Sequence, residues 1–91
     1  MDLQEMRNQI NELDQQMVTL LEERMELVQA VADYKKEHGL AVLDRNREGQ
    51  VLARVASHVQ NPEYKEIILE SFQALMDLSK AYQAKWMDSN D

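Results

Sequence analysis

The stretch from Asp2 to about Glu37 constrains this chain most: it contains neither Gly nor Pro and consists almost throughout of good helix formers. Within it Met6, Ile10, Leu13, Met17, Leu20, Arg24, Leu27, Val31 and Tyr34 recur at alternating four- and three-residue steps, the spacing of a heptad seam. Asp2, with Glu5 three residues later, resembles a capping box at its start. At about 1.5 Å per residue such a helix runs roughly 50 Å. That is longer than the remainder of a 91-residue chain can cover. Part of the seam is therefore expected to pack against a second copy.

His38-Gly39 closes this helix, with Gly39 available for the left-handed position beyond the last turn, and Leu40 to Leu43 make a short apolar connection. Asp44 is expected to cap a second helix over Arg45 to His58, with an apolar stripe of Val51, Leu52, Val55 and Val59. Asn61-Pro62 is the clearest punctuation, since Asn61 can cap and Pro62 suits the first helical position. The third helix is expected to run to about Trp86 with Tyr64, Ile67, Ile68, Phe72, Leu75, Leu78, Tyr82 and Trp86 facing inward, and Asp88 to Asp91 to fray. No period-two alternation or hairpin dipeptide marks a strand. The expectation is an all-α fold, one domain over residues 1–91, with three helices of unequal length (long, short, medium) at about 3–38, 45–58 and 62–86.

Composition narrows the chemistry. A chain this short buries roughly 60–65% of its unfolded surface, so partner subunits are the natural source of further core. With no Cys there is no disulfide framework, thiol nucleophile or Cys-based metal centre. No apolar run reaches membrane-spanning length and the N-terminus has no signal-peptide pattern, so a cytoplasmic setting is expected. Seventeen acidic against ten basic residues, net charge −7, disfavour nucleic acid and anionic membrane surfaces as partners. A small anionic ligand is disfavoured too, unless the cations are gathered in one place.

Several polar residues interrupt the apolar seams. Arg24 stands where the heptad calls for Leu or Ile; an Arg whose stem packs at a helix crossing accounts for it as well as a ligand contact does. Lys35, eleven residues on, falls on a similar face, although a solvated charge near a helix C-terminus is the simpler account. Arg7 borders the same stripe and by itself reads as solvated. Asp44, Arg47 and Glu48 open the second helix, where the local charge balance turns positive and the helix N-terminus favours an anion; intrahelical pairing with a cap is the alternative. Ser79 and Gln83 continue the inward line of the third helix, where backbone hydrogen bonds would also satisfy them. Jointly, polar groups from all three helices would be costly to desolvate unless paired or met by a polar ligand. A pocket for a small, highly anionic molecule is the better joint account. No Gly-rich phosphate cradle, metal-ligand spacing or Ser-His-Asp set accompanies it, so neither cofactor nor metal is expected. Hydrogen bonding and fixed positive charge remain.

The stretches Met6-Arg7-Asn8-Gln9-Ile10-Asn11-Glu12-Leu13-Asp14, Leu20-Leu21-Glu22-Glu23-Arg24, Lys35, Asp44-Arg45-Asn46-Arg47-Glu48 and Ser79-Lys80-Ala81-Tyr82-Gln83 together resemble the all-helical chorismate mutase family, the AroQ class, over about residues 5 to 86. The resemblance implies an intertwined homodimer whose long first helices pair, with two active sites each using both chains. It implies conversion of chorismate to prephenate, toward phenylalanine and tyrosine. By the same resemblance, Arg7 reaches one substrate carboxylate from the partner subunit and Arg24 binds the other. Lys35 and Gln83 donate to the ether oxygen, Glu48 holds the ring hydroxyl with Asp44 at the same end, and Arg47 and Ser79 complete the contacts. The chain carries the expected residue type at each of these positions and has no room for a fused second enzyme domain, so a monofunctional mutase is expected, with docking onto a separate partner synthase as a route to control. The alternatives are an isochorismate pyruvate lyase on the same scaffold and a non-catalytic helical dimerisation module whose seam polar residues fix register.

Overall fold

In the computed structural model, which describes residues 1–89, the chain is all-α: α1 spans Leu3–Glu37, α2 Arg45–His58 and α3 Lys65–Ser89, with a single 3-10 turn at Pro62–Tyr64 leading into α3. Each helix start is set by a side chain that takes up an orphan backbone donor. Asp2 accepts from the Glu5 N–H at 2.8 Å, Asp44 from the Arg47 N–H at 3.1 Å, and Asn61 from the Glu63 N–H at 3.0 Å. Beyond the His38 cap α1 is closed by Gly39, whose φ of +66° is the left-handed conformation that favours glycine. There the Leu40 N–H reaches the Lys35 carbonyl at 2.7 Å and the Gly39 N–H reaches the Lys36 carbonyl at 3.3 Å. These are the two bonds of a Schellman motif, and they turn the chain sharply off α1 toward α2.

α3 is the middle element, packing on α1 along one side and α2 along the other; among the described residues α1 and α2 do not pack directly together. Polar cross-links set the first pairing. Arg24 bonds Ser79, Gln83 bonds the Val28 carbonyl, Tyr82 bonds Gln29, Trp86 bonds Asp33 and Lys36 bonds the Met87 carbonyl. Partner numbers rise together along both helices, so the C-terminal part of α1 and α3 run parallel and in step. The α2–α3 pairing is antiparallel: Glu48 meets Lys80 at one end, while Val55 and Val59 face Phe72 and Ile68 toward the other. The molecule measures 53 × 25 × 15 Å, its long dimension matching the roughly 50 Å expected of α1.

The bounds of α1 and α2 and the α2 stripe agree with the sequence-based expectations to within a residue, and Val51, Leu52, Val55 and Val59 are all half-buried. Two expectations need correction. The tail from Asp88 is helical through Ser89, whereas Asn90 and Asp91 lie outside the described residues. The inward face of α3 also agrees only in part: Ile67 and Leu78 are 63% and 69% exposed, and Tyr64 and Tyr82 are exposed as well. Ile68, Phe72, Leu75 and Trp86 are covered as expected, and with them Leu69, Met76, Ser79 and Gln83, flanked by Gln73, Lys80 and Met87. α3 meets α1 and α2 through this mixed line, while Ile67 and Leu78 stay largely uncovered in the protomer. α1 repeats the pattern: its residues 3–20 are exposed throughout, seam included. No described helix is long and apolar enough to cross a membrane.

Candidate active site

Only four described residues are buried: Ala32 and Met76, which are apolar, and Ser79 and Gln83, which are not. Ala32 lies where α1 meets α3, and the absence of a larger side chain lets the two backbones approach. Ser79 and Gln83, at 8% and 6% exposure, are the polar residues that the chain commits to its interior. Burial of such groups is tolerable only with partners, and both have them. The Ser79 hydroxyl donates to the Leu75 carbonyl at 2.7 Å and accepts from the Arg24 guanidinium at 2.6 Å. The Gln83 amide nitrogen donates to the Val28 carbonyl at 3.0 Å. A carbonyl can only accept, so the nitrogen end of this amide is fixed toward α1 and its second N–H remains for another acceptor.

These side chains edge a groove of about 320 Å³, within the range of small-molecule sites. α1 contributes Arg24, Leu27, Val28, Val31 and Lys35. The connection and α2 contribute Val42, Asp44, Arg47, Glu48 and Val51, and α3 contributes Met76, Ser79, Lys80 and Gln83. Lys35 holds the connection in place by donating to the Val42 carbonyl at 2.9 Å, with two further N–H donors to spare. Asp44 is both the cap of α2 and part of the groove wall.

Seven residues expected from the sequence thus meet in one place: Arg24, Lys35, Asp44, Arg47, Glu48, Ser79 and Gln83. Arg7 does not join them. It is exposed on α1, seventeen residues before Arg24 and so about 26 Å away along the helix axis. The structure adds Lys80, which the sequence reasoning passed over. Its ammonium donates to a Glu48 carboxylate oxygen at 2.6 Å and lies 3.4 Å from Asp77. The hydrogen bond to Glu48 holds the Lys80 ammonium above the ordinary lysine pKa, Asp77 adds to this, and partial desolvation opposes it. A signal for Lys80 exists in the spacing: Met76, Ser79, Lys80 and Gln83 stand at i, i+3, i+4 and i+7, one helix face.

The electrostatics are lopsided. Arg24, Lys35, Arg47 and Lys80 line the groove against Asp44 and Glu48 alone. Arg24, Lys35 and Arg47 pair with no carboxylate among the described residues, although acidic side chains outnumber basic ones in the chain. Converging unpaired cations beside apolar walls suit an organic dianion, with guanidinium groups for carboxylates and fixed amide and ammonium donors for a further oxygen.

Comparison with known proteins accords with that chemistry. Residues 6–84 match the family described as chorismate mutase type II. The chain is similar to a chorismate mutase of Methanocaldococcus jannaschii, 30% identical over 94% of this chain and 88% of that protein. It is also similar to a monofunctional chorismate mutase of Enterobacter agglomerans, 38% identical over 78% of this chain but only 42% of that longer protein. Matched along most of its length, with three helices closing on one cationic groove, the chain belongs to the type II chorismate mutase family.

Proposed function

We propose that the groove between the three helices is where this chain performs its family's reaction, the rearrangement of chorismate to prephenate, and that residues 1–91 act as one domain within a homodimer. The observation that carries the assignment is the convergence of Arg24, Lys35 and Arg47, unpaired with any described carboxylate, on a pocket floored by the buried Ser79 and Gln83.

The reaction is unimolecular and pericyclic, so no group must act as acid, base or nucleophile. Arg24, held by Ser79, takes one substrate carboxylate and helps to fold the enolpyruvyl side chain over the ring. Negative charge grows on the ether oxygen as its bond to carbon lengthens. Lys35 and the free N–H of Gln83 donate there, and their bonds strengthen toward the transition state. Glu48 accepts from the ring hydroxyl, with Asp44 at the same end, and Arg47 closes the rim.

Arg7 fits this scheme only from a second copy. Met6, Ile10, Leu13, Met17 and Leu20 are 43–62% exposed in the protomer, an apolar stripe that supports pairing of α1 with its counterpart. An antiparallel pair centred near Gln15 matches Leu3 with Leu27, Met6 with Arg24, Ile10 with Leu20 and Leu13 with Met17. That register brings the partner subunit's Arg7 beside Arg24, at the mouth of the groove.

Incubating purified protein with chorismate and following prephenate tests the activity. Arg24→Ala is expected to lower turnover by about 10²–10³-fold with the dimer retained. A change of oligomeric state instead would favour a non-catalytic dimerisation module, and pyruvate release from isochorismate without mutase turnover would favour the lyase. Mixing inactive Arg7→Ala and Arg24→Ala dimers tests the sharing. Exchanged dimers carry one intact site, so activity should return to about a quarter of wild type at equilibrium; no recovery would place Arg7 outside the partner's site.

A further inference from the structure

We propose that Lys80 is a positioning residue for the substrate site: bound to Glu48, it offsets the charge of a carboxylate that faces an anionic substrate. The inference rests on the groove being the chorismate site. Glu48 is awkward there, because an uncompensated carboxylate on the wall repels a dianion that the rest of the groove attracts. The Lys80 ammonium at 2.6 Å from a Glu48 oxygen cancels that repulsion and leaves the other oxygen free to accept the ring hydroxyl. Asp77, 3.4 Å from Lys80 on its outer side, helps to hold the ammonium at the groove edge. The pair also spans α3 to α2, so it sets the direction of the Glu48 side chain from a second helix. Both side chains are largely covered, at 30% and 19% exposure, so water screens the pair only in part.

The kinetic signature follows from where the charges lie. Substrate and transition state carry the same two carboxylates, so repulsion from an uncompensated Glu48 weakens both about equally. Loss of uniform binding raises KM and leaves kcat nearly unchanged. Because Lys80 acts through Glu48, its removal should matter only while that carboxylate is present.

The test is a double-mutant cycle of Lys80→Met and Glu48→Gln in the full-length chain with chorismate. The expected result is a rise in KM of about tenfold for Lys80→Met with kcat within about threefold, smaller at high salt. In the Glu48→Gln background the same substitution should change KM by less than about twofold. Lys80→Arg, which keeps the cation, should restore most of the wild-type KM. An equal effect in both backgrounds, or wild-type kinetics for Lys80→Met, overturns the proposal. Circular dichroism and sedimentation of each variant separate a binding defect from a folding defect, and a misfolded Lys80→Met accompanied by a folded Lys80→Arg of wild-type stability but unrestored KM also counts against it. If the wild-type chain forms no prephenate at all, the underlying assignment of the groove has failed instead.

Discussion

At the scale of single residues, Gln83 has the most specific consequence. Its amide is tethered to the Val28 carbonyl by one N–H and offers the other without needing a proton from solution. The wild-type kcat/KM should therefore hold from about pH 6 to pH 8; a steep loss across that window would refute the role. Gln83→Glu should introduce a pH dependence that the wild type lacks. A carboxylic acid donates only while protonated, and once ionised it repels the charge growing on the ether oxygen, so activity should fall as pH rises. A pH profile of both proteins checks this directly. The two glycines make an opposed pair. Gly49 lies inside α2 with nothing within 4 Å of an added Cβ, so Gly49→Ala should stabilise the fold by about 0.5–1 kcal/mol in urea unfolding. Gly39, at φ +66°, should lose about 1–2 kcal/mol on the same change.

At the scale of elements, the α1–α3 seam joins stability to the site, because the cross-links that hold the helices in step include Arg24–Ser79 and Gln83–Val28. Ala32 is wholly buried in that seam. Ala32→Leu should push the helices apart, cost about 1–3 kcal/mol by chemical denaturation and reduce turnover further by displacing Gln83 from Val28. Asp44 has two duties that substitution can separate. Asp44→Asn keeps a capping oxygen and should leave the melting temperature nearly unchanged while altering substrate binding. Asp44→Ala loses the cap of α2 as well, about 1 kcal/mol.

For the whole molecule, the protomer exposes two apolar stripes, one along the first half of α1 and one along α3 through Ile67 and Leu78. The α1 stripe is the one that the proposed pairing with a second copy would cover. Leu13→Glu, near the centre of the proposed α1 pairing, should dissociate the dimer in sedimentation and abolish turnover, although no groove residue has changed. A folded monomer of full activity would refute the shared site.

What could be read from the chain alone was local or periodic. Asp2, Asp44 and Asn61 as caps, Gly39 as the end of α1, and the α2 stripe all depend on interactions within a turn or two of helix, which composition and spacing encode directly. The seven groove residues were also legible, since each is a polar side chain at an otherwise apolar or helix-capping position and together they match a family pattern. The inward face of α3 was legible only in part, through Ile68, Phe72, Leu75 and Trp86. Apolar periodicity marks which side of a helix avoids water, without saying whether its own chain or another covers it, and here the protomer covers Met76, Ser79 and Gln83 instead of Ile67 and Leu78. Lys80 was missed for a related reason. A lysine beside a serine on a charged helix reads as solvated, and only the antiparallel placement of α2 against α3 brings Glu48, thirty-two residues earlier, to within 2.6 Å of it. Local sequence determined the helices and their ends, because those interactions are short in range; tertiary packing decided which charges meet, because Coulomb energy depends on distance in space.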